Sequence, residues 1–199
     1  MRVIAGELKG RKLAAPKGAG AGNKTRCGIR PTADRVKEAI FSMIHRDVEG
    51  AVCLDLFAGT GQVGIEALSR GADRVYFCDI DPDSLALLRQ NLDICKIEGR
   101  RVTILAMDWR SAVAKLNEKC NLVFVDAPFD MCEYYSQMLE ALAKQEALDD
   151  EALILIERDA GAGDYVLPTE FEKVRDKRYG DVGVDLLLYI KAGGKNERG

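Results

Sequence analysis

The sequence predicts an α/β fold: a doubly wound, mostly parallel sheet of about seven strands with an antiparallel C-terminal hairpin, preceded by a small basic N-terminal lobe. Three observations predict it. Apolar runs at 51–57, 74–80, 101–106, 121–126 and 152–157 alternate with helical stretches near 62–70, 83–95, 109–117 and 133–145. Such alternation places helices on both faces of a parallel sheet. The end of the chain differs, because 170–178 and 184–191 read as two strands joined by Gly180-Asp181-Val182-Gly183. Finally, 199 residues with 47% hydrophobic and 31% charged side chains suit one domain with a full-sized core.

Residues 2–5 and 11–14 predict two short strands around Glu7-Leu8-Lys9-Gly10. The stretch from Pro16 to Lys24 is rich in Gly and Lys with nothing to bury, which predicts a mobile basic loop. Thr32 is placed to cap a helix with Val36, Ile40, Met43 and Ile44 on one face and Arg35, Lys37 and Glu38 on the other. Residues 1–46 are therefore expected to form an accessory lobe, 47–192 the sheet domain and 193–199 a disordered tail. Within the sheet domain, Gly71 reads as a helix C-cap, and Asp81-Pro82 as an N-cap followed by an N1 proline.

Several classes of function are excluded early. No apolar run approaches the ~18 residues of a membrane span, and the opening Met1-Arg2-Val3-Ile4-Ala5-Gly6-Glu7 breaks too soon for a signal peptide. A cytoplasmic, membrane-free protein is expected. The six cysteines, at 27, 53, 78, 95, 120 and 132, contain no C-x-x-C, and Cys53, Cys78 and Cys120 sit in or beside apolar runs as small hydrophobes. His45 is the single histidine, so no metal site is expected and hydrolytic triads have little to work with. Charge is lopsided: residues 1–46 hold 11 Lys and Arg against 3 acids, while the rest holds 18 against 29. That suggests a basic arm for a polyanion on an acidic body.

The first chemical constellation is Asp55-Leu56-Phe57-Ala58-Gly59-Thr60-Gly61-Gln62-Val63-Gly64, a G-x-G-x-x-G directly after a strand and before a helix. Asp79 closes the next strand 18 residues after Gly61, where a carboxylate can accept from ribose hydroxyls. Together they point to a nucleoside cofactor. Asp55 lies inside the first strand, and its charge would repel pyrophosphate but suit the cationic amino acid end of S-adenosylmethionine. Asp108, just after the third strand, could accept from an adenine amino group. Trp109 beside it could cover the ring, although a single Trp is more often core.

The second constellation is Asp126-Ala127-Pro128-Phe129 at the end of the apolar strand Asn121–Val125. The carboxyl end of a strand beside the switch point is where a substrate sits. An exocyclic amine is a poor nucleophile because its lone pair is delocalised into the base. Asp126 and the Ala127 carbonyl could bind its two N–H groups and aim the nitrogen at a methyl donor, with Phe129 stacked on the base.

These motifs, with Met1–Gly6, Gly10–Leu13, Gly28–Glu38 and Glu66–Ala72, make the sequence resemble the RsmD family of 16S rRNA (guanine-N2)-methyltransferases, class I enzymes with a Rossmann-like sheet. The resemblance spans nearly the whole chain. It implies methyl transfer from S-adenosylmethionine, with S-adenosylhomocysteine as product, to a guanine N2 amine. Its expected partner is 16S rRNA in an assembled or assembling small ribosomal subunit, engaged by a monomer. It assigns Asp55, Gly59 and Gly61 to the cofactor pocket, Asp79 to the ribose and Asp108 to the adenine, and Asp126 to Phe129 to catalysis. Phe57, Ile80 and Trp109, with Pro31 and Thr32 from a front end acting as a lid, complete the expected cofactor set. Arg11, Lys12, Lys17, Lys24, Arg26, Arg30 and Arg35 are the expected RNA contacts. One departure stands out: Ala127 occupies a position where the family normally has a second proline.

Three rivals share parts of this pattern. A DNA adenine-N6 or cytosine-N4 methyltransferase has the same Asp-x-Pro-aromatic logic but usually a larger target-recognition region. A nicotinamide-dependent oxidoreductase shares the glycine loop, but Asp55 and residues 126–129 count against it. A non-catalytic rRNA-binding assembly factor finds its single hint in Ala127.

Overall fold

In the computed structural model the described residues are 1–16, 31–128 and 134–191, with the backbone alone for 31–33. The elements are α1 (Pro31–Met43), β1 (Val52–Asp55), α2 (Gln62–Ser69), β2 (Arg74–Asp79), α3 (Pro82–Cys95), a 3-10 turn (Gly99–Arg101), β3 (Val102–Ala106), α4 (Trp109–Ala114), β4 (Cys120–Val125), α5 (Tyr135–Lys144), β5 (Leu148–Asp159), β6 (Phe171–Tyr179) and β7 (Val182–Tyr189). They build one seven-stranded sheet in the order β3-β2-β1-β4-β5-β7-β6. Neighbours from β3 through β5 are parallel, and β7 runs antiparallel to both β5 and β6. The chain winds outward from β1 to β3, then returns to lay β4 on the other side of β1. That reversal opens a crevice at the carboxyl ends of β1 and β4.

Each face of the sheet is covered. On one face, Ile40 and Phe41 of α1, Ile44 just beyond it, Ile65 and Leu68 of α2 and Leu88 of α3 pack on Cys53, Val75, Phe77, Leu122 and Phe124. On the other, Trp109 and Val113 of α4 and Tyr135, Met138 and Leu142 of α5 pack on Leu54, Tyr76, Val123, Ile154 and Leu187. Strand residues alternate between the two clusters, as period-two side chains must. Cys53, Cys78, Cys95 and Cys120 are buried free thiols, and burial raises the pKa of each.

The predicted alternation is present, with shifted boundaries. Asp81 caps α3 by accepting from the Ser84 amide at 2.8 Å, and Pro82 occupies its first turn. Gly71, at φ 102, follows the C-cap Arg70 of α2. The C-terminal turn is tighter than predicted, with only Gly180 and Asp181 between β6 and β7, because Gly180 supplies a φ of 66. Helix α1 begins at Pro31, so Thr32 lies within the first turn rather than capping it.

The N-terminal region adds detail to the expected hairpin and overturns one expectation, the exposure of Lys37. The hairpin forms, but its ladder is one bridge, Arg2 with Lys12, plus backbone bonds such as Val3 N to Arg11 O at 3.0 Å. The region packs onto the sheet, since Val3, Leu13, Val36 and Phe41 belong to the same cluster as Cys53 and Val75. Lys37, predicted on the solvent face of α1, is 3% exposed. Its ammonium donates to the Arg2 carbonyl at 2.8 Å and lies 3.4 Å from the Glu66 carboxylate. Glu66, fully buried on α2, also accepts from the Ile4 and Ala5 amides and from Arg70 Nε. A buried carboxylate with two cations and two amide donors is satisfied, and it fastens the hairpin to the helix that follows the glycine loop.

Candidate active site

The glycine loop is stitched to both neighbours of β1. The Leu56 amide donates to the Phe124 carbonyl of β4 at 3.0 Å, and the Ala58 amide to the Cys78 carbonyl of β2 at 2.8 Å. Gly59 and Gly61 both take positive φ, 52 and 79. The three glycines then divide their work. A Cβ on Gly61 would strike Leu88 Cδ1, and one on Gly64 would strike the Phe77 ring, so both are required by close packing. A Cβ on Gly59 would meet nothing within 4 Å. Gly59 alone presents backbone toward open space, where a ligand can approach.

Three carboxylates surround this loop in different states. Asp55, at the end of β1, is 2% exposed and accepts from the Gly64 amide at 3.0 Å. Burial raises its pKa to about 7; the Gly64 bond opposes the shift, and the nearby Asp126 and Asp79 charges add to it. Asp79, partly exposed at the end of β2, accepts from Gly59 N at 2.6 Å on one oxygen and from Asp81 N at 2.8 Å on the other. Asp126 is the residue immediately past β4 and is partly exposed.

Asp108 carries a structural duty. It is the N-cap of α4, accepting from Arg110 N at 3.0 Å, Ser111 N at 3.2 Å and Ser111 Oγ at 2.7 Å. Those bonds hold its carboxyl below its usual range, led by the Ser111 hydroxyl. Trp109 goes to the core: it is 5% exposed, packs with Leu105 and Val113's cluster, and has Arg110 lying 4.2 Å over its ring. The plain alternative for a single Trp describes its side chain best. Arg110 also lies 5.5 Å over Tyr134 and donates to Gln137 Oε1 at 3.1 Å, tying α4 to the start of α5.

The other predicted site residues fall as follows. Phe57 is half-buried against the second cluster, and Ile80 is 71% exposed beside Asp79. Ala127 is fully buried in the second cluster and Pro128 is exposed. Arg11, Lys12 and Arg35 are exposed. Phe129, Lys17, Lys24, Arg26 and Arg30 lie outside the described residues, as do the side chains of Pro31 and Thr32.

One positioning residue escaped the sequence reading. Asn91 on α3 is fully buried; its amide donates to the Thr60 carbonyl at 2.9 Å, and its oxygen accepts from Ala14 N at 2.7 Å. It joins the glycine loop to the chain just before the basic stretch. A signal existed: Asn91 falls among Leu85, Leu88, Leu92 and Cys95, on the buried stripe of α3 where a polar residue needs partners.

A doubly wound sheet with an antiparallel β7, a glycine loop after β1, an acid closing β2 and Asp-x-Pro after β4 defines a class I, Rossmann-like methyltransferase. Residues 1–188 match the family model described as Conserved hypothetical protein 95. The chain is 34% identical to Ribosomal RNA small subunit methyltransferase D of Escherichia coli, over 94% of this chain and 88% of that protein. The solved structure of Escherichia coli yhhF superposes with a TM-score of 0.83 at 32% identity, covering 96% of this chain and 99% of its own. A solved structure complexed with S-adenosylhomocysteine is alike in fold alone, with a TM-score of 0.66 at 15% identity over 84% of this chain and 52% of its own. The chain belongs to the Conserved hypothetical protein 95 family, which is the RsmD family its sequence resembles.

Proposed function

We propose that the protein methylates the N2 amine of a guanine in 16S rRNA, using S-adenosylmethionine, and that it acts as a monomer on an assembled or assembling small subunit in the cytoplasm. The observation that carries this reading is that Asp55, which ends β1, and Asp126, just past the adjacent parallel strand β4, stand on neighbouring strands at the carboxyl edge of the sheet, where the strand order reverses. The name of the Escherichia coli relative supports rRNA as the substrate.

The residues fit the cofactor. Gly59 leaves backbone open to a ligand, and Ile80 offers an exposed apolar side chain next to Asp79. A carboxylate has about four acceptor sites, and Asp79 uses two, leaving room for both hydroxyls of a ribose. Asp55 would face the ammonium of the amino acid moiety, where its ionised form is favoured. Asp108 has about one acceptor site to spare for an adenine amino group. When bound, S-adenosylmethionine supplies a methyl group activated by a sulfonium.

On the substrate side, Asp126 and the Ala127 carbonyl accept the two N–H groups of the amine and aim its nitrogen in line with the methyl group. The new bond is N–C and the broken one S–C; the proton left on nitrogen passes to solvent, so no general base is required. Rate enhancement rests on orientation, and the base must be unstacked to enter. Ala127 meets this need with its carbonyl while its methyl fills the second core cluster.

Mass spectrometry of rRNA nucleosides from cells with and without the gene tests the reading. N2-methylguanosine should fall by one residue per 16S rRNA in the deletion; an unchanged content overturns it. Calorimetry should show binding of S-adenosylhomocysteine and none of NAD.

A further inference from the structure

We propose that β6 is a second RNA-backbone contact, separate from the N-terminal basic stretch, and that Arg175 and Lys177 are the phosphate-binding residues on it. The inference rests on the rRNA reading above. Residues 172–178 of this edge strand are all exposed, and the strand carries Lys173, Arg175, Lys177 and Arg178 against Glu172 and Asp176. It does so in the part of the chain where acids outnumber bases by 29 to 18.

The four cations are not equivalent. Lys173 is committed to the buried Asp185 at 3.2 Å and lies over the Tyr165 ring, and Arg178 donates to the Gly180 carbonyl at 2.8 Å. Arg175 and Lys177 enter none of the ion pairs formed among the described residues.

A bulge decides where these two point. Directly opposed residues of antiparallel strands share a face. Phe171 and Lys173 oppose Tyr189 and Leu187, which belong to the α4–α5 face. The register then shifts between Lys173 and Arg175, so Arg175 and Lys177 oppose Leu186 and Val184 of the α1 face. A shift of one residue turns every later side chain over. Asp176, opposite Asp185, goes to the other face.

Arg175 and Lys177 thus share a face with α1, which carries the exposed Arg35 and is preceded in the chain by the basic stretch. Strand β6 runs parallel to β4, because each is related to β7 through β5 or directly, so its Lys177 end lies toward the same edge of the sheet as Asp126. Three strand spacings put it about 14 Å from β4, a span of a few nucleotides. Exposed cations on a flat strand read phosphates rather than bases. An RNA strand entering the crevice would be held from the β6 side as well as by the front of the chain. The competing role for edge-strand cations is to block edge pairing between molecules.

The test is RNA binding by the full-length protein, with a 16S rRNA fragment as probe, between 50 and 200 mM salt. Arg175→Gln/Lys177→Gln should lower the slope of log affinity against log salt by about 1.4–1.8, shrinking the loss of affinity over that range by roughly tenfold. Its affinity for S-adenosylhomocysteine should be unchanged, which certifies the fold. Glu172→Gln, on the same face as Arg175, should tighten RNA binding, a gain that misfolding cannot produce. An unchanged slope in the double variant, or new oligomers with normal RNA binding, overturns the role of β6. A wild-type protein that binds S-adenosylhomocysteine but neither the rRNA fragment nor the small subunit overturns the rRNA reading itself.

Discussion

The amide of Gly59 donates to Asp79 Oδ2 at 2.6 Å, and this bond closes the glycine loop onto the end of β2. The acid expected to hold a ribose is therefore also the clasp of the loop that would cradle the rest of the cofactor. Its other oxygen takes the Asp81 amide at 2.8 Å, so one side chain orders the loop and the entry to α3.

Replacing Asp79 should thus do two things at once. Asp79→Ala should weaken S-adenosylhomocysteine binding by tenfold to a hundredfold, about 1.5–3 kcal/mol, through lost bonds to a charged acceptor. Asp79→Asn should be nearly as harmful, because its amide would turn a donor toward the amide of Gly59 or Asp81. Calorimetry checks both; an unchanged dissociation constant in the alanine variant removes Asp79 from the site.

Asp55 should make both stability and binding depend on pH. Burial raises its folded pKa to about 7, well above the ordinary aspartate value of about 3.8. Between those values the unfolded chain has lost the proton that the folded one keeps, so stability falls as pH rises from about 4 to 7 and levels off above. Asp55→Asn should flatten that slope in urea titrations. In the wild type, affinity for S-adenosylhomocysteine should rise through pH 7 as the carboxylate ionises and faces the ammonium. Affinity independent of pH from 5.5 to 8.5 would count against that contact.

Asp126 should separate binding from chemistry. Asp126→Ala should leave S-adenosylhomocysteine binding nearly intact and RNA affinity little changed, since phosphates supply most of it. Methyl transfer should fall by 10²-fold or more, roughly the cost of a ~1 Å misplacement. Asp126→Asn should do less harm and should move the Asp55 titration downward, because a neighbouring charge is gone. Lost cofactor binding with a normal rate at saturation would place Asp126 in the cofactor site instead.

Glu66 should prove structural. Glu66→Ala leaves Lys37 buried without its partner and frees the Ile4 and Ala5 amides. A loss of about 3–5 kcal/mol is expected for breaking such a buried pair, read from urea midpoints. A change below about 1 kcal/mol would show that the hairpin is not held by this carboxylate.

Much of the molecule was legible beforehand. The glycine spacing, the acids ending β1 and β2 and the Asp-Ala-Pro after β4 each follow a strand whose period was readable. The carboxyl edge of a doubly wound sheet gathers such residues by topology. Asp108 and Trp109 do stand just after β3, but their side chains form a helix cap and a core ring. Local sequence does not say which of two satisfied states a polar or aromatic residue takes.

The sequence by itself determined the order of elements, the crevice and the acids around it, because these depend on hydrophobic period and on glycine conformations that few residues can adopt. Only the tertiary structure decided what depends on neighbours remote in the chain. It buried Lys37 against Glu66, 29 residues away along the sequence, and set Asn91 between Thr60 and Ala14. It turned Arg175 and Lys177 onto the α1 face through a bulge. Burial of a charge is tolerable only where partners converge, and the convergence of distant segments is a property of the packed fold, which no local pattern encodes.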